Sequence, residues 1–214
     1  MDKSTDRLID KLAGDLQPTS RLRQVRGRAL VATAMAGTIL LAFILLGRHA
    51  GTAIDLASAM FVLTNGLLLV LALVSSLTVV SMAQPRVGST QDAPKWALAS
   101  VMLLPLAAIG AATAGRAGAG FIFAQRQDFT CFVVGSLFAF ITAGVLLYWL
   151  RKGAPVLPEK AGLFLGLGAG AMGSFANGLF CPDHSIWHLG IWHVLPVVLW
   201  GLIGRIALPP LVRW

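Results

Sequence analysis

Two cysteines, Cys131 and Cys181, and three of the four histidines, His184, His188 and His193, are the residues of this 214-residue chain best suited to chemistry. Cys181 opens the segment Cys181-Pro182-Asp183-His184-Ser185-Ile186-Trp187-His188-Leu189-Gly190-Ile191-Trp192-His193, and Cys131 precedes it by fifty residues. Thiol and imidazole together offer three chemistries. Two thiols can close a structural disulfide in an oxidising compartment, or serve as a redox sensor where the sulfur is exposed and acidified by a protonated imidazole. Thiolate and neutral imidazole can instead hold a soft ion such as zinc, copper or cadmium. For that third chemistry the spacing matters: Cys181 and His184 are three apart and His184 and His188 four apart, so on a helix they share a face. With Cys131 added from elsewhere, the candidate metal set is Cys131, Cys181, His184 and His188. Pro182 argues against a continuous helix through Cys181. His193 reads as a hydrogen-bonded packing residue.

These residues must be positioned by elements of an unusual composition. The chain is 57% hydrophobic and 12% charged, with a mean hydropathy of +0.78, against about 25% charged in a soluble domain. A soluble globule, a disordered chain and a disulfide-stapled module are all excluded. Six apolar stretches are long enough to cross a hydrocarbon core, 29–46, 56–80, 96–114, 129–150, 161–180 and 189–208. The expected fold class is an all-α integral membrane protein of six transmembrane helices with a short N-terminal cytoplasmic amphipathic helix.

Six spans place both termini on one side, and the basic residues say which. Fourteen Lys and Arg fall in the N-terminal arm, the second and fourth loops and the C-terminal end, against three (Arg48, Arg116 and Arg126) on the opposite face. The positive-inside rule makes the richer face cytoplasmic. The net charge of +8 is then topology, and nucleic acid is not an expected partner. The first span is too long for a cleavable signal peptide. Cys131 lies 20 residues before Arg151 and Cys181 lies 20 after Ala161, about 30 Å of helix in each case. Both thiols therefore stand at the outer level of antiparallel neighbours, within plausible disulfide reach.

Outside the bilayer, the arm from Met1 to Arg28 is the one sizeable segment. Leu8, Ile9, Leu12 and Leu16 line one face of a helix and Asp6, Arg7, Asp10, Lys11 and Asp15 the rest. Ser4 or Thr5 can cap its start and Pro18 ends it. Its polar face is balanced in sign, whereas a helix lying on a membrane surface carries excess Lys and Arg. That favours a protein partner.

Gly162, Gly166 and Gly170 recur every fourth residue of the fifth span and make a small-residue face for close helix contact. Ala107, Ala111 and Gly115 offer the same in the third. No Lys-Ser/Thr follows the glycines, so a phosphate loop is excluded. Asp55, Asn65 and Asn177 are the notable polar residues at or within the spans, too few carboxylates for a proton relay. Trp187, Trp192, Trp200 and Trp214 suit an interfacial aromatic belt. Two other classes stay open: a heavy-metal binding or transport protein using the same Cys and His, and an intramembrane metal-dependent hydrolase. A carrier should show further thiols along its path, and a hydrolase needs ligands converging from several spans.

From end to end the chain resembles the NrsF family of six-span membrane anti-sigma factors, negative regulators of sigma F in proteobacteria. The arm Leu8-Ile9-Asp10-Lys11-Leu12-Ala13-Gly14-Asp15-Leu16, with Pro18 and Arg21-Leu22-Arg23 after it, carries the resemblance. So do the two cysteines and the ending from Cys181-Pro182 through Trp187-His188, Trp192-His193, Leu195-Pro196, Trp200-Gly201 and Gly204-Arg205 to Arg213-Trp214. The resemblance implies a bacterial inner-membrane protein that is not an enzyme and takes no small-molecule substrate. It implies a cytoplasmic sigma-binding arm at 1–28 and a transmembrane sensor domain at 29–214. An extracytoplasmic-function sigma factor would be held by Leu8, Ile9, Asp10, Leu12, Asp15 and Leu16, and released when periplasmic Cys131 and Cys181 sense an oxidant or a heavy metal. No cofactor is required on this reading, beyond a transient soft metal ion at the Cys and His cluster.

Overall fold

Backbone amides in long apolar runs have no water to bond, so they pair within helices, and the described residues contain helix and connections but no strand. The computed structural model describes residues 3–14, 22–50, 58–85, 92–114 and 126–212. The helices are α1 (Lys3–Gly14), α2 (Gln24–Ala50), α3 (Ala59–Met82), α4 (Ala93–Thr113), α5 (Arg126–Arg151) and α6 (Pro158–Gly178), then a π-helical turn at His188–Trp192, α7 (Leu195–Ala207) and α8 (Pro209–Val212). Asp15, Leu16, Pro18, Arg21, Asp55, Gly115, Arg116, Arg213 and Trp214 lie outside the described residues.

Among the described residues, five segments are long and apolar enough to cross a membrane: Gln24–Gly47, Ala59–Met82, Ala93–Ala111, Asp128–Arg151 and His188–Ala207. The packing is correspondingly turned out. Large apolar side chains such as Phe43, Ile44, Leu103, Leu106, Phe140 and Leu202 are exposed, while Thr38, Thr64, Asn65, Ser75, Ser76 and Thr142 are buried. Such a surface suits lipid rather than water.

The expected fifth span is a helix of 21 residues, α6, but its glycines keep it out of the apolar set. Its position in the bundle accounts for that composition. From Ala161 to Gly178 every residue except Leu163 is buried, packed by α3, α5 and α7, so it needs small residues for neighbours more than long ones for lipid. Gly162, Gly166 and Gly170 lie against α7: a Cβ on Gly162 or Gly166 would overlap the carbonyl oxygen of Gly204 or Trp200, and one on Gly170 would stand 2.7 Å from that of Pro196. Gly173 meets Gly135 and Ala139 of α5 in the same way, and a Cβ on Gly168 would lie 2.8 Å from Ser76 Oγ of α3. The glycine face of the sequence thus extends around three sides of the helix.

Three other expectations are corrected. On α4, Ala107 is exposed and the close approach is made instead by the buried Ala108, where a Cβ on Gly190 would stand 3.0 Å from its Cβ. Trp200 is no interfacial anchor: it is buried, donates from Nε1 to Ser136 O at 3.2 Å and meets Phe140 edge-on at 4.7 Å. Ser4 and Thr5 lie within α1 rather than capping it.

At the opposite end from Cys131, α2 is clamped to its neighbours. Gly27 abuts Trp149 and Val80, Trp149 Nε1 donates to Val80 O (3.3 Å), and Gln84 Nε2 donates to Leu22 O (2.8 Å). Because α2 begins at Gln24 and runs unbroken past position 29, residues 24–28 and the first span expected from 29 share one helix. In α1, residues 5–14 are all exposed, Leu8, Ile9 and Leu12 among them.

Candidate functional site

The N-terminal end of α5, the C-terminal end of α6 and the start of the last span meet at one end of the bundle. Residues 181–185 are not helical, as Pro182 requires, so the three-and-four spacing does not place Cys181, His184 and His188 on one face. Asp183 Oδ1 accepts from Ser185 N (2.8 Å) and Ser185 Oγ from His188 N (3.2 Å), a side-chain cap that starts the next helical turn. That turn is π-helical, five residues from His188 to Trp192.

The π turn decides which histidines meet. Residues five apart diverge by about 140° around an α-helix, but wider π turns, with bonds spanning five residues, bring them nearly into register. His188 and His193 accordingly lie side by side, ring centroids 5.3 Å apart, and both are buried. One ligand atom each from Cys131, Cys181, His188 and His193 falls within 4.8 Å of all the others. The cluster therefore takes His193, which the sequence reading set aside as a packing residue, and leaves out His184. The latter turns away, its Nε2 donating to Cys181 O (3.1 Å) and its ring lying 5.2 Å from Phe61.

Within the cluster the sulfurs of Cys131 and Cys181 are 3.7 Å apart, with no disulfide between them. Cys181 Sγ lies 3.2 Å from His188 Nε2 and 3.6 Å from Asp183 O. The hydrogen bond to Cys131, followed by burial, pushes the Cys181 thiol above its ordinary range. On the far side of the ring, His188 Nδ1 lies 2.5 Å from Asp128 Oδ1, so Nδ1 carries the proton and Nε2 presents its lone pair to the sulfur. Asp128 is buried one helical turn before Cys131 and was not singled out in the sequence. Its place three residues from a candidate cysteine, at the mouth of an apolar span, was the available signal.

Asn177 Nδ2 donates to Cys131 O (3.2 Å), tying α6 to α5 directly beneath the thiols. Asn65 Nδ2 donates to Phe61 O of its own helix (3.0 Å). His193 Nδ1 faces Ser174 O at 3.4 Å, while its Nε2 is buried without a hydrogen-bond partner. Chemically, this constellation can form a disulfide, pass a thiol proton to an oriented imidazole, or hold a metal ion through two sulfurs and two nitrogens.

The described residues thus form a helical bundle with five segments long and apolar enough to cross a membrane and a buried thiol pair at one end. The chain belongs to the family described as NrsF, negative regulator of sigma F, whose model matches residues 12–214. It is also 41% identical over 68 residues to the anti-sigma-F factor NrsF of Caulobacter vibrioides (strain NA1000 / CB15N), a match covering 32% of this chain and 32% of that protein. The aligned stretch thus spans about a third of the length of that relative. No solved structure matches the chain.

Proposed function

We propose that this protein is a membrane anti-sigma factor that holds an extracytoplasmic-function sigma factor through its N-terminal arm, residues 1–28, and releases it when Cys131 and Cys181 are modified. The observation that carries the reading is the family match over 12–214. The sensor is the bundle from 29 to 214, with α6 as a sixth span shielded from lipid by its neighbours and both termini in the cytoplasm. The excess of Lys and Arg on that face supports the orientation. It sets the thiols on the periplasmic side.

Leu8, Ile9 and Leu12 support the binding role. They are exposed on α1, and an apolar stripe flanked by Asp10 suits the helix-in-groove mode of recognition. In the sequence Leu16 continues the stripe and Asp15 its acidic flank.

The thiol pair supports the sensing role. Closing a disulfide brings sulfurs now 3.7 Å apart to about 2.05 Å, with two electrons passing to the oxidant and two protons released. Such closure draws the start of α5 toward the end of α6, at an interface where glycine leaves no slack. A packed interface of this kind switches between arrangements rather than deforming smoothly. Leu12→Asp should free the sigma factor and raise transcription from its promoters without any inducer. Unchanged transcription in that variant would refute the arm's role.

A further inference from the structure

We infer that Cys131, Cys181, His188 and His193 form a tetrahedral two-sulfur, two-nitrogen binding site for a borderline divalent cation of the zinc type, with Asp128 as its orienting carboxylate. This deepens the sensing role proposed for the two cysteines by assigning that site a ligand and a complete coordination sphere.

Three independent features carry it. The first is spacing. Around zinc, with bonds of about 2.3 Å to sulfur and 2.0–2.1 Å to nitrogen, tetrahedral geometry sets the sulfurs about 3.8 Å apart and sulfur and nitrogen about 3.5 Å apart. Here the sulfurs are 3.7 Å apart and Cys181 Sγ lies 3.2 Å from His188 Nε2. The second is the support around the imidazoles. A ligating histidine ordinarily donates its other N–H to a carboxylate or a carbonyl, and both do so: His188 Nδ1 to Asp128 and His193 Nδ1 to Ser174 O. The third is an orphan. His193 Nε2 is buried with no partner, and an unsatisfied buried nitrogen is costly unless something fills the place.

Charge agrees with burial. Binding replaces the two thiol protons, which leave to solvent, and two thiolates neutralise a divalent ion, so the filled centre adds no net charge to a dry site. The set of two sulfurs and two nitrogens favours zinc over the hard cations, which prefer oxygen. His184, one residue from exposed Ser185 and bonded elsewhere, is not a ligand.

The test is metal binding by the full-length protein, purified in mild detergent with its thiols reduced, using zinc for stoichiometry and cobalt as the spectroscopic probe. Expected are one zinc per chain and the intense visible bands of tetrahedral cobalt with thiolate charge-transfer absorption. His193→Ala should weaken cobalt binding at least tenfold and His184→Ala should leave it unchanged. His193→Cys should restore binding with added charge-transfer intensity, which separates ligand loss from misfolding. Absent thiolate bands in reduced wild-type protein, or equal losses in His184→Ala and His193→Ala, would overturn the assignment. Neither readout involves a sigma factor, so a site that binds metal while Leu12→Asp leaves transcription unchanged would sink the anti-sigma reading alone, and the converse would sink the metal site alone.

Discussion

Asp128 and His188, sixty residues apart in the chain, share a hydrogen bond of 2.5 Å that fixes the histidine's tautomer and turns its other nitrogen toward Cys181. The bond ties the first turn of α5 to the π-helical turn, and thereby joins the two elements that supply Cys131 and His188. It makes the geometry of the cluster a property of the fold rather than of a loop.

Asp128→Asn keeps a hydrogen-bond acceptor at this position but removes the charge. Zinc affinity should fall about 10–100-fold, the usual cost of losing an outer-sphere carboxylate, with the helical content unchanged. A competition titration against a chromophoric chelator measures it, and an unaltered affinity would contradict the role assigned to Asp128.

Gly173 and Gly144 separate packing from propensity. Gly173 touches the backbone of Gly135 and Ala139, whereas a Cβ on Gly144, also within a helix, meets nothing within 4 Å. Gly173→Ala should destabilise the bundle by about 1–3 kcal/mol through overpacking. Gly144→Ala should instead stabilise it by about 0.5–1 kcal/mol. Thermal unfolding in detergent compares the two, and equal shifts would argue against the tight α5–α6 crossing.

The thiol pair predicts an intramolecular reaction. Mild oxidation should protect both cysteines from alkylation while the protein stays monomeric on a non-reducing gel. Cys131→Ser should retain the sigma factor but no longer release it on treatment with an oxidant or a soft metal ion. Release at the wild-type dose by that variant would move the sensor elsewhere.

Much of the fold could be read from the chain because a membrane segment announces itself by length and apolarity, as in Ala59–Met82. The exception, α6, is instructive: glycine lowers its hydropathy because its neighbours are helices, not lipid. The two cysteines were legible as a pair from depth alone, since equal helix lengths carry them to one level. The ligand set was not. His184 was favoured by α-helical spacing, but Pro182 breaks the helix and the π turn replaces the α register, so His193 comes in its place. Asp128 is not legible in the sequence because its partner is sixty residues away, a separation that no local spacing rule encodes.

The arm makes the central claim directly testable, because Leu8, Ile9 and Leu12 are more than half exposed and their removal costs the bundle no packing. The decisive measurement is co-purification from the native membrane in mild detergent, comparing the wild-type chain with one lacking residues 2–17. A sigma factor captured by the wild type and absent from the truncated chain is the predicted result; equal recovery of a sigma factor by both, or its absence from the wild type, would contradict the account.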